Sequence, residues 1–186
     1  MYEVEIKAYL KNREEVIKKL QSLGCFFGEE LHQVDHIFIP DRVSFPPPIT
    51  TPVLRVRNQN GIFIFTLKIS QSGRQDSIER ELEVGDGETM MEILKLLKYK
   101  ETIVVDKRRI KTKLGDVEIV LDDVKDLGDF IEAEKIVSNE NPEERKKIQS
   151  ELCGLLETLG VAKEDLLVNQ KYDIMLNDVY KKFGVK

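Results

Sequence analysis

Glu3-Val4-Glu5-Ile6-Lys7 opens the chain, and its alternation decides how every later segment is read. In an extended strand successive side chains point to opposite faces, so Glu3, Glu5, Lys7 and Tyr9 share one face while Val4, Ile6, Ala8 and Leu10 share the other. One face is fit for a core and the other carries charge. Taken alone, such a charged face is most simply a solvated one.

The same pattern recurs along the chain. Over 53–58, Arg55 and Arg57 oppose Leu54 and Val56, ahead of a hairpin turn at Asn58-Gln59-Asn60-Gly61. Over 62–70, Lys68 keeps step with Thr66, Ile64 and Ile62; over 77–84, Glu79, Glu81 and Glu83 oppose Ile78, Leu82 and Val84. A long strand over 102–113 aligns Lys107, Arg109, Lys111 and Lys113. Over 117–124, Glu118, Val120 and Asp122 oppose Val117, Ile119 and Leu121, and over 130–137 a second Glu-x-Glu, Glu132 and Glu134, opposes Ile131, Ala133 and Val137.

Helical spacing fills the intervals. Asn12 caps an expected helix to Leu23 with Val16, Ile17, Leu20 and Leu23 on one side, and Met90, Ile93, Leu94 and Leu97 mark another over 89–97. Asn141-Pro142 starts a third, with Ile148, Leu152, Leu155, Leu156 and Leu159 as its stripe and Gly160 as its stop. The last, over 170–183, aligns Tyr172, Met175, Leu176, Val179, Tyr180 and Phe183, expected as core against the sheet. The run 25–39 reads as a strand or bulged pair interrupted at Asp35-His36. Proline-rich 40–52 is expected to be either disordered or a lid, because prolines lack the donors for strand pairing.

Bulk properties exclude several classes. At 186 residues the length prior is one domain, with strands over about 2–137 and helices over about 141–183, burying about 70% of its unfolded surface. There is no apolar run of bilayer length and no signal-peptide order, so a cytoplasmic protein without a membrane partner is expected. A net charge of -5 argues against a nucleic-acid partner. Cys25 and Cys153 lack metal-ligand spacing and read as small core residues; His32 and His36 read as solvated or core. No phosphate-cradling Gly-x4-Gly-Lys loop and no Ser or Cys nucleophile motif is present.

The charges are segregated by strand, some strands being acidic and others basic. If these faces point inward, the strands form a barrel with helices outside and an ion-lined interior. Burying so many charges is prohibitive unless they are paired or meet a ligand carrying both signs. Phosphates suit the Arg and Lys residues, and Mg²⁺ or Mn²⁺ suits the carboxylates. A metal-bound polyphosphate has both.

Glu3-Val4-Glu5-Ile6-Lys7, followed in order by Leu54-Arg55-Val56-Arg57, Thr66-Leu67-Lys68, Glu79-Arg80-Glu81-Leu82-Glu83, Lys107-Arg108-Arg109, Leu121-Asp122 and Leu127-Gly128-Asp129-Phe130-Ile131-Glu132-Ala133-Glu134, resembles the CYTH superfamily of triphosphate tunnel metalloenzymes. The resemblance implies an α+β fold, an eight-stranded antiparallel β-barrel with helices packed outside, acting on a triphosphate with Mg²⁺ or Mn²⁺. By length and by the 127–134 segment the chain is most similar to the class IV adenylyl cyclase branch, which converts ATP to cyclic AMP and pyrophosphate. Other members hydrolyse tripolyphosphate, thiamine triphosphate or nucleoside triphosphates, and that activity stays open. A non-catalytic nucleotide- or polyphosphate-binding module is a third reading, disfavoured by the two Glu-x-Glu pairs.

Carried over residue by residue, Glu3, Glu5, Glu132 and Glu134 would bind metal with Asp122 and one or more of Glu79, Glu81 and Glu83, of which Glu81 is favoured. Lys7, Arg55, Arg57, Lys68, Lys107 and Arg109 would hold the triphosphate, and Glu5, Lys7, Lys107, Arg109 and Glu134 would carry turnover. The chain departs from the cyclase pattern at Ile37, where a tyrosine is common, and at Lys171-Tyr172, where a Ser-Tyr pair is common. A homodimer is compatible with this reading.

Overall fold

The computed structural model describes residues 1–138 and 140–184. Eight strands close on themselves: β1 (Tyr2–Tyr9), β2 (Leu31–Pro40), β3 (Val53–Gln59), β4 (Ile62–Gly73), β5 (Asp76–Val84), β6 (Tyr99–Leu114), β7 (Val117–Val124) and β8 (Gly128–Val137). They hydrogen-bond in the order β5-β4-β3-β2-β6-β7-β8-β1, and β1 returns to β5 through Tyr2–Val4. Every pairing is antiparallel. Where β5 leaves β1, the two-residue β9 (Leu166–Leu167) takes its place beside Lys7 and Ala8.

The apolar faces point outward. Val4, Ile6, Ala8, Ile119, Leu121, Ile131 and Ala133 are buried beneath α1 (Arg13–Ser22) and α3 (Pro142–Thr158), which contribute Val16, Leu20, Leu152 and Leu156. Cys25 is buried in this layer and Cys153 packs against it, as their apolar surroundings suggested. Asn141 caps α3 by accepting from the Glu143 amide at 3.0 Å. A separate cluster of Phe38, Leu54 and Val56 lies under Leu94 of α2 (Gly87–Leu96). No described helix is long and apolar enough to cross a membrane.

Several local expectations are corrected. Asn12 makes no capping bond with its side chain. Asp86 caps α2, accepting from the Thr89 amide at 3.1 Å, so the helix begins two residues early. Met90, Met91 and Leu94 then face the barrel, and Ile93 and Leu97 are exposed. Gly87 is required there, since a Cβ would collide with the Phe63 ring. The second strand is not broken at Asp35-His36: Asp35 faces inward onto Arg57 and His36 faces outward onto Glu101, so alternation continues through both. Its irregularity against β6 falls later, between Ile37 and Phe38. The 40–52 segment is packed, with Phe45 against the apolar cluster at one barrel end and the Pro47 carbonyl accepting from Arg74 at 2.9 Å.

The last helix, α4 (Tyr172–Phe183), lies across that barrel end. Its Tyr172 and Leu176 are buried against Ile37, Ile103, Val105, Val124 and Phe130, all on the inward parity of their strands. A buried glutamine holds the approach to it: Gln75 donates to the Leu167 carbonyl at 2.8 Å and accepts from the Asn169 amide at 2.8 Å.

A charged tunnel as the candidate active site

Inside the barrel is a cavity of about 470 Å³ whose lining includes ten acidic and nine basic side chains. Strand alternation puts them there. With Val4 and Ile6 committed to the outer core, Glu3, Glu5 and Lys7 have only the interior, and the same holds for Glu132 and Glu134 opposite Ile131 and Ala133.

Register then concentrates negative charge. Glu5 lies directly opposite Glu134 across the β1–β8 pair, and Glu134 directly opposite Glu118 across β8–β7. Like charges facing each other on neighbouring strands destabilise a sheet unless a cation intervenes. Glu118 turns to Lys111 at 2.6 Å. One carboxylate oxygen from each of Glu5, Glu132 and Glu134 falls within 4.8 Å of the others. Three carboxylates with convergent oxygens, largely withdrawn from solvent, are a donor set suited to a hard divalent cation of the Mg²⁺ or Mn²⁺ type.

The basic side chains are held in forks. Arg57 donates to both Asp35 oxygens at 2.6 and 2.8 Å, and Arg109 to both Asp122 oxygens at 2.6 and 2.5 Å and to Glu132 at 2.8 Å. Arg55 bridges Glu79 at 3.1 Å and Glu81 at 2.7 Å; Lys68 sits between Glu3 at 2.6 Å and Glu79 at 2.9 Å. Lys7 pairs with Glu132. Without ligand the tunnel thus neutralises itself, and a polyanion must take these cations from their carboxylates. A cation would then replace what the carboxylates lose.

Burial and neighbouring charge set the protonation states. Burial would raise the Glu5 carboxyl, but Lys68, Lys7 and Lys171 outweigh it and hold it at about 2, ionised and ready for a metal. Glu3 is pushed up to about 7 by burial and the nearby glutamates despite Lys68. Burial pushes Lys107 well below the ordinary lysine range, reinforced by Arg109, and burial with Lys68 brings Lys171 to about 8. Asp35 and Asp122 stay below the usual carboxylate range, burial being outweighed by Arg57 and Arg109 respectively.

Of the residues expected from sequence, Glu3, Glu5, Lys7, Arg55, Arg57, Lys68, Glu81, Lys107, Arg109, Glu132 and Glu134 all line the cavity. Asp122 lies behind it, fully buried, with its oxygens engaged by Arg109. Glu79 and Glu81 face the cavity and Glu83 is not part of its lining. Glu81 has a side chain 46% exposed at the rim and bonded to Arg55 and Thr66, apart from the convergent trio. Sequence reasoning placed Thr66 on the face of Lys68 but did not assign Asp35, Asp116, Lys171, Tyr172 or Asp173 to the lining. Asp35 was discoverable, being in step with Gln33 and Ile37 at period two; the α4 residues carry no such signal.

The CYTH domain profile matches residues 1–168. A Methanocaldococcus jannaschii protein described as a candidate adenylate cyclase is 33% identical over 169 residues, covering 90% of this chain and 94% of its own length. A solved Pyrococcus horikoshii protein is similar with TM-score 0.75 at 34% identity, over 92% of this chain and 97% of its own. A Hippeastrum protein, described as a candidate adenylyl cyclase with a dominant triphosphatase activity, shares the fold with TM-score 0.54 at 14% identity, over 98% of this chain and 95% of its own.

Proposed function

The chain belongs to the CYTH family, and from that premise we propose that it is a cytoplasmic, metal-dependent enzyme acting on the triphosphate of ATP, cyclising it to cyclic AMP and pyrophosphate. The observation that carries this reading is the convergence of Glu5, Glu132 and Glu134 in a cavity also lined by Arg55, Arg57, Lys68, Lys107 and Arg109. The name of the Methanocaldococcus relative, at 33% identity, favours the cyclase over other triphosphate chemistry.

In this reading Glu5, Glu132 and Glu134 hold Mg²⁺ or Mn²⁺, with Glu3 and Glu81 nearer the rim and Asp122 orienting Arg109 from behind. The ion would supply Lewis acidity and neutralise phosphate oxygens. The arginine forks bind phosphate oxygens in pairs, and Lys7, Lys68 and Lys107 act as point charges. The ribose 3′ hydroxyl gives its proton to water, its oxygen bonds to the α-phosphorus, and the α–β bridging P–O bond breaks to release pyrophosphate. Charge builds on departing pyrophosphate, where the fixed cations of the tunnel stabilise it most. The reading needs no nucleic acid, membrane or second subunit.

A second reading, hydrolysis of the triphosphate, is favoured by one feature. Tyr172 is the only aromatic residue among the described cavity-lining residues, and it serves the closed end, so the interior holds no platform for a purine. ³¹P NMR with ATP and, separately, tripolyphosphate in Mg²⁺ or Mn²⁺ separates the two. Pyrophosphate with cyclic AMP supports the cyclase, orthophosphate moves the assignment to a triphosphatase, and binding without turnover leaves a polyphosphate-binding module.

A further inference from the structure

Phe26 is 89% exposed, more than any other large apolar side chain among the described residues. A single apolar residue on a surface is ordinary, but this one is aimed and held. Its neighbours Cys25 and Phe27 turn into the outer core with α1, which sends the Phe26 ring the other way, to the side on which Lys111 and Lys113 leave β6. The Phe26 carbonyl accepts from the Thr112 hydroxyl at 2.8 Å, and the Gly28 amide donates to the Lys111 carbonyl at 3.0 Å. The segment is thereby tied to β6, and the ring stands on a fixed root.

Phe26 lines a hollow of about 400 Å³ together with Gly24, Lys111, Thr112, Lys113 and Glu118. Lys111, Lys113 and Glu118 also line the tunnel, so the hollow adjoins the tunnel mouth. Along β6 the inward residues run from Val105 near α4 through Lys107, Arg109 and Lys111 to Lys113 at the open side. Thr112, which anchors Phe26, lies about 10 Å beyond Arg109 at the rise of a strand. That is the span of a ribose with its base, measured outward from the arginine and the nearby carboxylate trio. A flat apolar face with an ammonium group and a carboxylate at its edge suits a nucleobase: the ring stacks, Lys113 donates and Glu118 accepts.

We propose that Phe26 is a stacking platform for a nucleobase just outside the tunnel mouth, and that it selects nucleoside triphosphates over inorganic polyphosphate. The inference rests on the triphosphate reading above and supplies what the tunnel interior lacks, an aromatic surface for a base. Because every base has a face to stack, the platform separates nucleotides from bare phosphate chains without choosing sharply among bases. Phe26 is thus a specificity residue and takes no part in the bond changes.

The probes are methylene-bridged, non-hydrolysable analogues of ATP and of tripolyphosphate, titrated by calorimetry in Mg²⁺. Phe26→Ala should weaken the ATP analogue about 5- to 100-fold, the loss of one base–aromatic stack. It should leave the tripolyphosphate analogue and the melting temperature unchanged, since the ring is 89% exposed, and Phe26→Tyr should restore the ATP analogue. The chain has no tryptophan, so Phe26→Trp places a single indole at the mouth, whose emission should be quenched by the ATP analogue and not by the tripolyphosphate analogue. Equal effects of Phe26→Ala on both analogues, no effect on either, or an indole indifferent to the ATP analogue overturns the platform. A change in oligomeric state of Phe26→Ala by light scattering, with affinities intact, also overturns it and assigns the ring to a protein contact. If the parent binds both analogues without regard to Phe26, the triphosphate reading stands and the platform falls. If adenosine quenches the introduced indole while neither analogue binds the parent, the reverse holds; no binding and no quenching overturns both.

Discussion

Replacing Asp35 by Asn takes one charge from the tunnel wall while nearly preserving shape. Asp35 is 4% exposed, receives two bonds from Arg57 at 2.6 and 2.8 Å, and lies 3.9 Å from Arg55. Removing one partner of a buried pair leaves an uncompensated charge and costs about 3–5 kcal/mol; with an amide oxygen still able to accept, the lower end applies. For a domain of this size about 3 kcal/mol corresponds to a fall of about 6–12 °C in Tm. The same change releases Arg57 for phosphate, so tripolyphosphate should stabilise the variant more than the parent, and saturation at a hundredfold over Kd adds about 2.7 kcal/mol. The assay is thermal unfolding by circular dichroism, with and without tripolyphosphate, in the presence of a chelator. The sign with pH follows from Asp35 being held below the usual carboxylate range. Its contribution is present above the unfolded value of about 3.9 and is lost as pH falls through the folded one, so the gap between variant and parent stays constant near neutrality and closes only in acid. A Tm within 2 °C of the parent (~1 kcal/mol at this size), or a gap that tripolyphosphate does not narrow, would refute the reasoning.

Glu134→Gln should lower metal-dependent turnover at least about 100-fold, in line with losing a fixed electrostatic contributor, while ligand-free Tm stays level or rises because Glu5 and Glu118 no longer face a like charge. Activity assays with melting curves check both. Tripolyphosphate binding at pH 8 should take up protons, since Lys171 lies at about 8 in the free tunnel and an adjacent anion raises it; calorimetry in buffers of different ionisation enthalpy reads the number, and proton release would contradict it. Gly87→Ala should cost about 1–3 kcal/mol in urea unfolding, because the new methyl runs into the Phe63 ring.

Much of the site is legible in the sequence because strand alternation is a local property. Glu3 with Glu5, Arg55 with Arg57, and Glu132 with Glu134 have to share a face, and their apolar neighbours have to share the opposite one. Alternation does not say which face is inside. Segregation of charge by strand and the ordered resemblance to a known family point inward, and the outer core of Val4, Ile6, Ile119, Leu121 and Ile131 agrees. Asp35 reads as an interruption because an acidic residue beside histidine breaks an apolar run, although its period-two step with Gln33 and Ile37 already puts it on their face; Arg57 across the strand pair supplies its partner.

For Glu3-Val4-Glu5-Ile6-Lys7, the sequence by itself determined two faces and the chemistry of each. Tertiary structure alone decided that Glu5 opposes Glu134, that Glu132 joins them, that Asp122 serves Arg109, and that Glu79 and Glu81 but not Glu83 line the tunnel. It also decided that α4 brings Lys171 and Tyr172 to the closed end. Those outcomes depend on register between strands distant in sequence, on closure of β1 onto β5, and on the angle at which a helix meets a barrel end. None of these leaves a period in the chain.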